Sequence, residues 1–202
     1  MLKNKPMPKI GVDSFCYAPL IKDDPDSVPE YGETVKIPGT VSVGFTANSQ
    51  TIPFHADNGV YVSAAQTGDI TLTVGLADIP PEIQAAWFGS KYENGMIEDG
   101  ELNAQEMAVG YRVKKANGAY RYFWLYKGVA SPPSENVNTT GNTLTHQSDS
   151  ITISCAMLAS TGKYRRRIDS DDKNLPAGVD SKMIENNWFE SPVWKVGEIE
   201  EV

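Results

Sequence analysis

The chain has 202 residues, of which 40% are hydrophobic and 22% charged, as in an ordinary globular domain with a sizeable core. Its 26 acidic residues outnumber 18 basic ones, giving a net charge of −8, which disfavours a protein that clamps nucleic acid by its phosphates. No stretch is long and apolar enough to span a bilayer, so a membrane role is not expected.

Residues 1–34 read as an extended arm. Pro6, Pro8, Pro19, Pro25 and Pro29, with the acidic run KDDPDS, argue against regular elements there, and only FCYAPL (15–20) suggests a strand or anchor. MLKNKPMPKIGVDSF has no apolar core and no small-residue cleavage site; it is not read as a signal peptide, and synthesis in a cytoplasm is expected.

A β-domain is expected over 35–172. In VKIPGTVSVGFTA, Val41, Val43 and Phe45 alternate with Thr40, Ser42, Gly44 and Thr46. Residues 47–67 form a connection whose Asn58–Gly59 pair signals a two-residue turn, so a protruding hairpin is expected. In GDITLTVGLAD, Ile70, Leu72, Val74 and Leu76 point inward, and Asp69, Thr71 and Thr73 outward.

One short helix follows, at about 79–88. Asp78 is the expected N-cap, Pro80 and Pro81 suit a first turn, and Gly89 ends it. Ile83, Ala86, Trp87 and Phe88 give it an apolar face, and two turns must dock on a sheet to be stable.

EMAVGYRVKK and AYRYFWLYKGVAS flank Ala116–Asn117–Gly118 and read as a long hairpin. Tyr120, Tyr122, Trp124 and Tyr126 lie on one face of its second strand, with Phe123 and Leu125 on the other. A strand apolar on both faces is covered on both, by a sandwich core or by a partner. Residues 131–149 are polar and turn-rich, ITISCAML alternates, and KYRRRID reads as a last strand. Residues 173–202 form a C-terminal extension, with a helical turn or two around 179–189 and an acidic EIEE end.

Chemistry is sparse. His55 and His146 lie far apart in polar stretches, and no CxxC, HExxH, GxSxG, phosphate-loop or GxGxxG pattern is present, so neither an enzyme nor a metal or cofactor site is expected. DSDDKN (169–174) lacks the glycine of a calcium loop and reads as a solvated acidic loop. Cys16 and Cys155 read as buried, reduced thiols. Lys163, Arg165, Arg166 and Arg167 would split across two strand faces and pair with carboxylates. Trp87 and Trp124 read as core, and Trp188 and Trp194 as freer to act at an interface.

Several runs together resemble one family. They are Ala56–Asp57–Asn58–Gly59, Gly68, Leu76–Ala77–Asp78–Ile79–Pro80, Gly89, Asn117–Gly118, Tyr120–Arg121–Tyr122, Trp124–Leu125, Lys127–Gly128 and Pro132. In order and spacing, over roughly 10–172, they are similar to the major tail proteins of long-tailed, non-contractile bacteriophages and prophages. The resemblance implies a β-sandwich or barrel with one flanking helix, an extended arm and a protruding hairpin. It implies a structural virion protein, made in the host cytoplasm, forming hexameric rings stacked as a tube through which DNA passes. Its partners would be copies of itself, tape-measure and tail-tip proteins, with no cofactor.

On that resemblance, Thr51, Ile52, Phe54, His55, Asn58 and Tyr61 are candidates for contact with the adjacent ring. Asp69, Thr71 and Thr73 are candidates for the lumen, and Tyr120, Tyr122, Trp124 and Tyr126 for the core or a joint between subunit sheets. The helix would cover the outer sheet face and leave the other for neighbours. A tail terminator or connector ring, and a carbohydrate-binding β-sandwich, are the alternatives.

Overall fold

The computed structural model describes residues 3–133 and 148–196, without the side chains of His55, Val60 and Val62. His146 and the EIEE end lie outside the described residues. The elements in chain order are β1 (Lys9–Lys22), β2 (Glu30–Tyr31), β3 (Val35–Lys36), β4 (Thr40–Ala56), β5 (Gly59–Leu76), α1 (Pro81–Phe88), β6 (Lys91–Glu93), β7 (Met96–Glu98), β8 (Met107–Lys115), β9 (Tyr120–Ser131), β10 (Asp149–Cys155), β11 (Arg165–Asp169) and α2 (Ser181–Asn187).

Among the described residues, nine strands join one antiparallel sheet in the order β2-β1-β8-β9-β10-β5-β4, with β3 also on β1 and β11 also on β9. β6 and β7 form a separate hairpin. The mostly-β expectation is met, with one correction. The sheet is not a closed barrel: β4 approaches β1, but the free edge of β1 is already taken by β2 and β3. Of the two helices among the described residues, α1 lies where the flanking helix was expected and α2 falls within the helical turn or two expected around 179–189.

The expected irregular arm contains the 14-residue strand β1, which pairs along β8 from Lys9↔Lys115 to Pro19↔Met107. Pro19 is tolerated because its carbonyl, and hence its donor-less nitrogen, faces the sparsely paired β2 side, where Gly32 N–H donates to Pro19 O at 2.8 Å. The neighbouring Leu20 N–H keeps the β8 side satisfied by donating to Glu106 O at 2.9 Å.

Strand alternation divides the core in two. On one face, Phe15 and Tyr17 of β1, Val109 and Tyr111 of β8, Phe123 and Leu125 of β9, Ile151 and Ile153 of β10, and Leu72 and Val74 of β5 form the larger cluster. α1 adds Ile83, Trp87 and Phe88 to it, with the Trp87 indole edge-on to Tyr17 at 5.3 Å between ring centres. Its N-cap is Pro80, with no side-chain cap, instead of Asp78, and Ala85 rather than Ala86 is buried. Gly89 ends it at φ 72°, where a Cβ would meet Asn103 O at 2.5 Å, so glycine is required twice over.

On the opposite face, Cys16, Ala18, Ala108, Tyr122 and Trp124 pack under Ile184 of α2 and the following Trp188 and Phe189. α1 covers one sheet face, as expected, but the opposite face is left open only in part, being covered over β1, β8 and β9. Two other expectations are corrected. The second face of β9 is covered by this chain's own C-terminal segment and needs no neighbouring subunit. Trp188 is 1% exposed and is not free for an interface. Asp180 caps α2 by accepting from Met183 N–H at 2.8 Å, which sets the helix over the sheet.

Candidate functional site

β4 and β5 have 17 and 18 residues and run far beyond the sheet. Up to Ile70, β5 also pairs with β10; from Ser49↔Thr67 to Ala56↔Gly59 the two strands pair, among the described residues, only with each other. The turn residues are Asp57 and Asn58, with φ of 49° and 61°, the geometry of a type I′ turn. The expected Asn58–Gly59 turn is thus shifted by one residue, and Gly59 opens β5. Instead of short flanking strands, both core strands continue unbroken to the tip.

This arm carries exposed apolar groups. Ile52, Phe54 and Tyr61 are 54%, 64% and 71% exposed. Ile52 pairs with Ala64 and, two residues on, Phe54 with Val62, so Ile52 and Phe54 share a face. Thr51 and Asn58 are exposed on the same arm. His55 pairs in backbone register with Val60.

At the root of the arm, the sheet face that α2 covers over β1, β8 and β9 is bare, among the described residues, over β10, β5 and β4. Its register aligns Thr46, Thr71 and Ser154 in one row, and Gly44, Thr73, Thr152 and Ser131 in the next. Thr73, Thr152, Ser154, Thr46 and Ser131 are exposed and Thr71 is half-exposed. Asp69 is exposed beside the irregularity between Ala47 and Ser49. The rows are short, hydroxyl-bearing and uncharged, so they can hydrogen-bond water without holding a charged ligand.

The four β9 residues lie elsewhere. Tyr122 and Trp124 are 1% exposed, and Tyr126 is 9% exposed with its phenol pushed up by burial. Tyr120 is half-buried, with the Arg112 guanidinium 4.3 Å above its ring. Arg112 is held by Asp13 at 2.5 Å and Glu185 at 2.8 Å, which ties β8 to β1 and α2.

The acidic loop is not simply solvated. Lys115, buried at the end of β8, donates to Asp169 at 2.9 Å and Asp171 at 2.5 Å, and the Arg121 guanidinium also holds Asp169. Asn4 donates to Asp172 at 2.8 Å, so the loop also fastens the N-terminal segment. Burial would raise the carboxyls of Asp169 and Asp171, but the cationic donors outweigh it and hold both below the usual range. Asp23 is lowered in the same way: burial is outweighed by the backbone N–H groups of Ala159 and Ser160 and by Lys127.

The basic run splits across two faces as expected, yet two of its members meet rings rather than carboxylates. Arg165 lies 4.1 Å over Phe45, whose ring stacks on Tyr164, and Arg166 lies 5.4 Å over Trp188 and donates to Trp194 O. These ring contacts, and the burial of Lys115, are partnerships that strand alternation does not signal. Among the described residues, no group of His, Cys, Asp and Glu is arranged to hold a metal, and no helix is long and apolar enough to cross a membrane.

No family model matches the chain, and no curated protein matches it in sequence. Among solved structures it is similar to the tube-terminating cap of an anti-feeding prophage, determined by cryo-EM. The two are 11% identical over 83% of this chain and 94% of that one, with a TM-score of 0.47. That likeness is too slight to carry a functional conclusion.

Proposed function

We propose that the chain is a structural protein of a phage-type tail, assembling with copies of itself into stacked rings that form a tube for DNA. One observation carries this reading: the outer hairpin, paired among the described residues only with itself, presents Ile52, Phe54 and Tyr61 to solvent. Single exposed apolar residues are ordinary, but three on a thin two-stranded arm have no core of their own to join. The arm is suited to enter a neighbouring subunit, in the role that the family resemblance gives to residues 47–67.

The bare hydroxyl rows support a second part of the proposal. Thr71, Thr73 and Asp69 line the lumen, where hydroxyls beside a carboxylate let a polyanion slide without sticking. The role is structural rather than catalytic and needs no cofactor. The virion is the destination, with tape-measure and tail-tip proteins as further partners.

Negative-stain electron microscopy of the purified chain over a concentration series tests this. Hollow tubes of uniform width are expected. Rings that never stack would replace the tube role by that of a terminator. Particles that remain monomeric at every concentration and with tail-tip components added would overturn the assembly reading.

A further inference from the structure

Three cations gather in a cleft whose lining holds no carboxylate. Lys163, Arg165 and Arg167 line a cleft of about 440 Å³ together with Thr67, Met157 and Tyr164. Among the described residues none of the three is in an ion pair, although eight carboxylates elsewhere are. Arg165 is pre-set by its contact with the Phe45 ring, with the guanidinium carbon 4.1 Å from the ring centre, and a ring face occupies none of its N–H donors as an ion pair would. Lys163 and Arg167 are exposed at the rim.

The complementary surface lies on another element of the same chain. The β6–β7 hairpin and the turn after it carry Glu93, Glu98, Asp99 and Glu101 against one lysine, Lys91, which pairs with Glu93 at 2.7 Å. Glu98, Asp99 and Glu101 are exposed and in no ion pair among the described residues. The hairpin also exposes Tyr92 (44%) and Met96 (62%), and the cationic cleft has its own apolar wall in Met157, 42% exposed. Unpaired charge of opposite sign, each beside exposed apolar surface, is the pattern of two halves of one interface.

We infer that the acidic turn 98–101 of one copy docks in the Lys163–Arg165–Arg167 cleft of the next. The inference rests on the self-assembly proposed above and names a contact within it that the long arm does not make. Because cleft and turn are different patches, the contact is heterologous and propagates from copy to copy until a ring closes. Raising ionic strength weakens it, since both halves are at the surface.

Charge reversal at exposed positions tests it by sedimentation velocity. Lys163→Glu with Arg167→Glu reverses the cleft, and Glu98→Lys with Glu101→Lys reverses the turn. Unchanged thermal melting shows that each variant folds. Each variant alone should require a more than about tenfold higher concentration to assemble than the parent, and an equimolar mixture of the two should assemble again. If the parent assembles and both variants assemble equally well, or the mixture is not rescued, the contact is wrong while the assembly proposal stands. If the parent never assembles, even with tail-tip components added, both fall. Binding of inorganic phosphate or an oligonucleotide to the cleft, without rescue in the mixture, would also overturn it.

Discussion

The Trp124 indole N–H donates to the backbone carbonyl of Trp188 at 2.8 Å. In return, the Trp188 ring sits over the outer face of β9, tilted against Tyr122 at 6.1 Å. This pair closes the face that a two-sided apolar strand would otherwise present to a neighbour. Trp188→Ala should therefore cost about 3–5 kcal/mol, read as a lowered urea midpoint. It should also expose Tyr122 and Trp124, read as binding of a hydrophobic dye under native conditions.

Gly110 lies beneath the same lid. A Cβ there would meet Cys16 Sγ at 2.8 Å and Trp124 Cζ3 at 3.0 Å. Gly110→Ala should destabilise by about 1–3 kcal/mol through overpacking. Combined with Trp188→Ala it should cost less than the sum of the two, because the cavity left by the indole gives Trp124 room to shift. A double-mutant cycle by urea denaturation checks this.

Asp23, Asp169 and Asp171 have folded-state pKa values below their unfolded ones. The unfolded chain therefore takes up protons first as pH falls. The stability these groups confer is present above the ordinary carboxylate range near pH 4 and is lost as pH drops through their lowered values. Asp169→Asn should flatten that acid limb in a series of urea melts. It should also cost roughly 2–3 kcal/mol at pH 7, less than the usual penalty for breaking a buried pair because Asp171 still holds Lys115.

Burial raises both thiols, Cys155 to about 12 and Cys16 further. Neither is a thiolate at pH 8, so a chromogenic disulfide reagent should label the native chain far more slowly than the denatured one. The half-buried Cys155 should react before Cys16.

Much of this fold was legible in residue patterns, and the exceptions have physical causes. The Asn117–Gly118 signal predicts the β8–β9 hairpin because Gly118 sits at φ 84° and the Asn117 side chain accepts from Ala119 N–H, features of the residues themselves. β1 was legible only over FCYAPL (15–20): Pro19 within it and the prolines around it speak locally against a longer strand, and the long-range pairing with β8 decides otherwise. The hairpin arm was legible as a turn, but its length depends on β4 and β5 pairing on past the register irregularity between Ala47 and Ser49, which neither strand shows alone. The lid over Trp124 was read as a short helix. What it covers depends on Ile184, Trp188 and Phe189 meeting β9 across more than 60 intervening residues, beyond any local period. The same holds for Arg165 on Phe45, a contact between strands at distant points of the chain.

The central claim is that the β4–β5 arm joins one subunit to the next. Its most direct test replaces residues 49–67 by a two-residue turn and compares the variant with the parent by sedimentation velocity and electron microscopy. The core pairing from Thr40↔Leu76 to Ala47↔Ile70 is left intact, so the variant should fold with a near-unchanged melting temperature. The account predicts that the parent assembles with rising concentration while the variant stays a folded monomer. A variant that assembles as readily as the parent would contradict it.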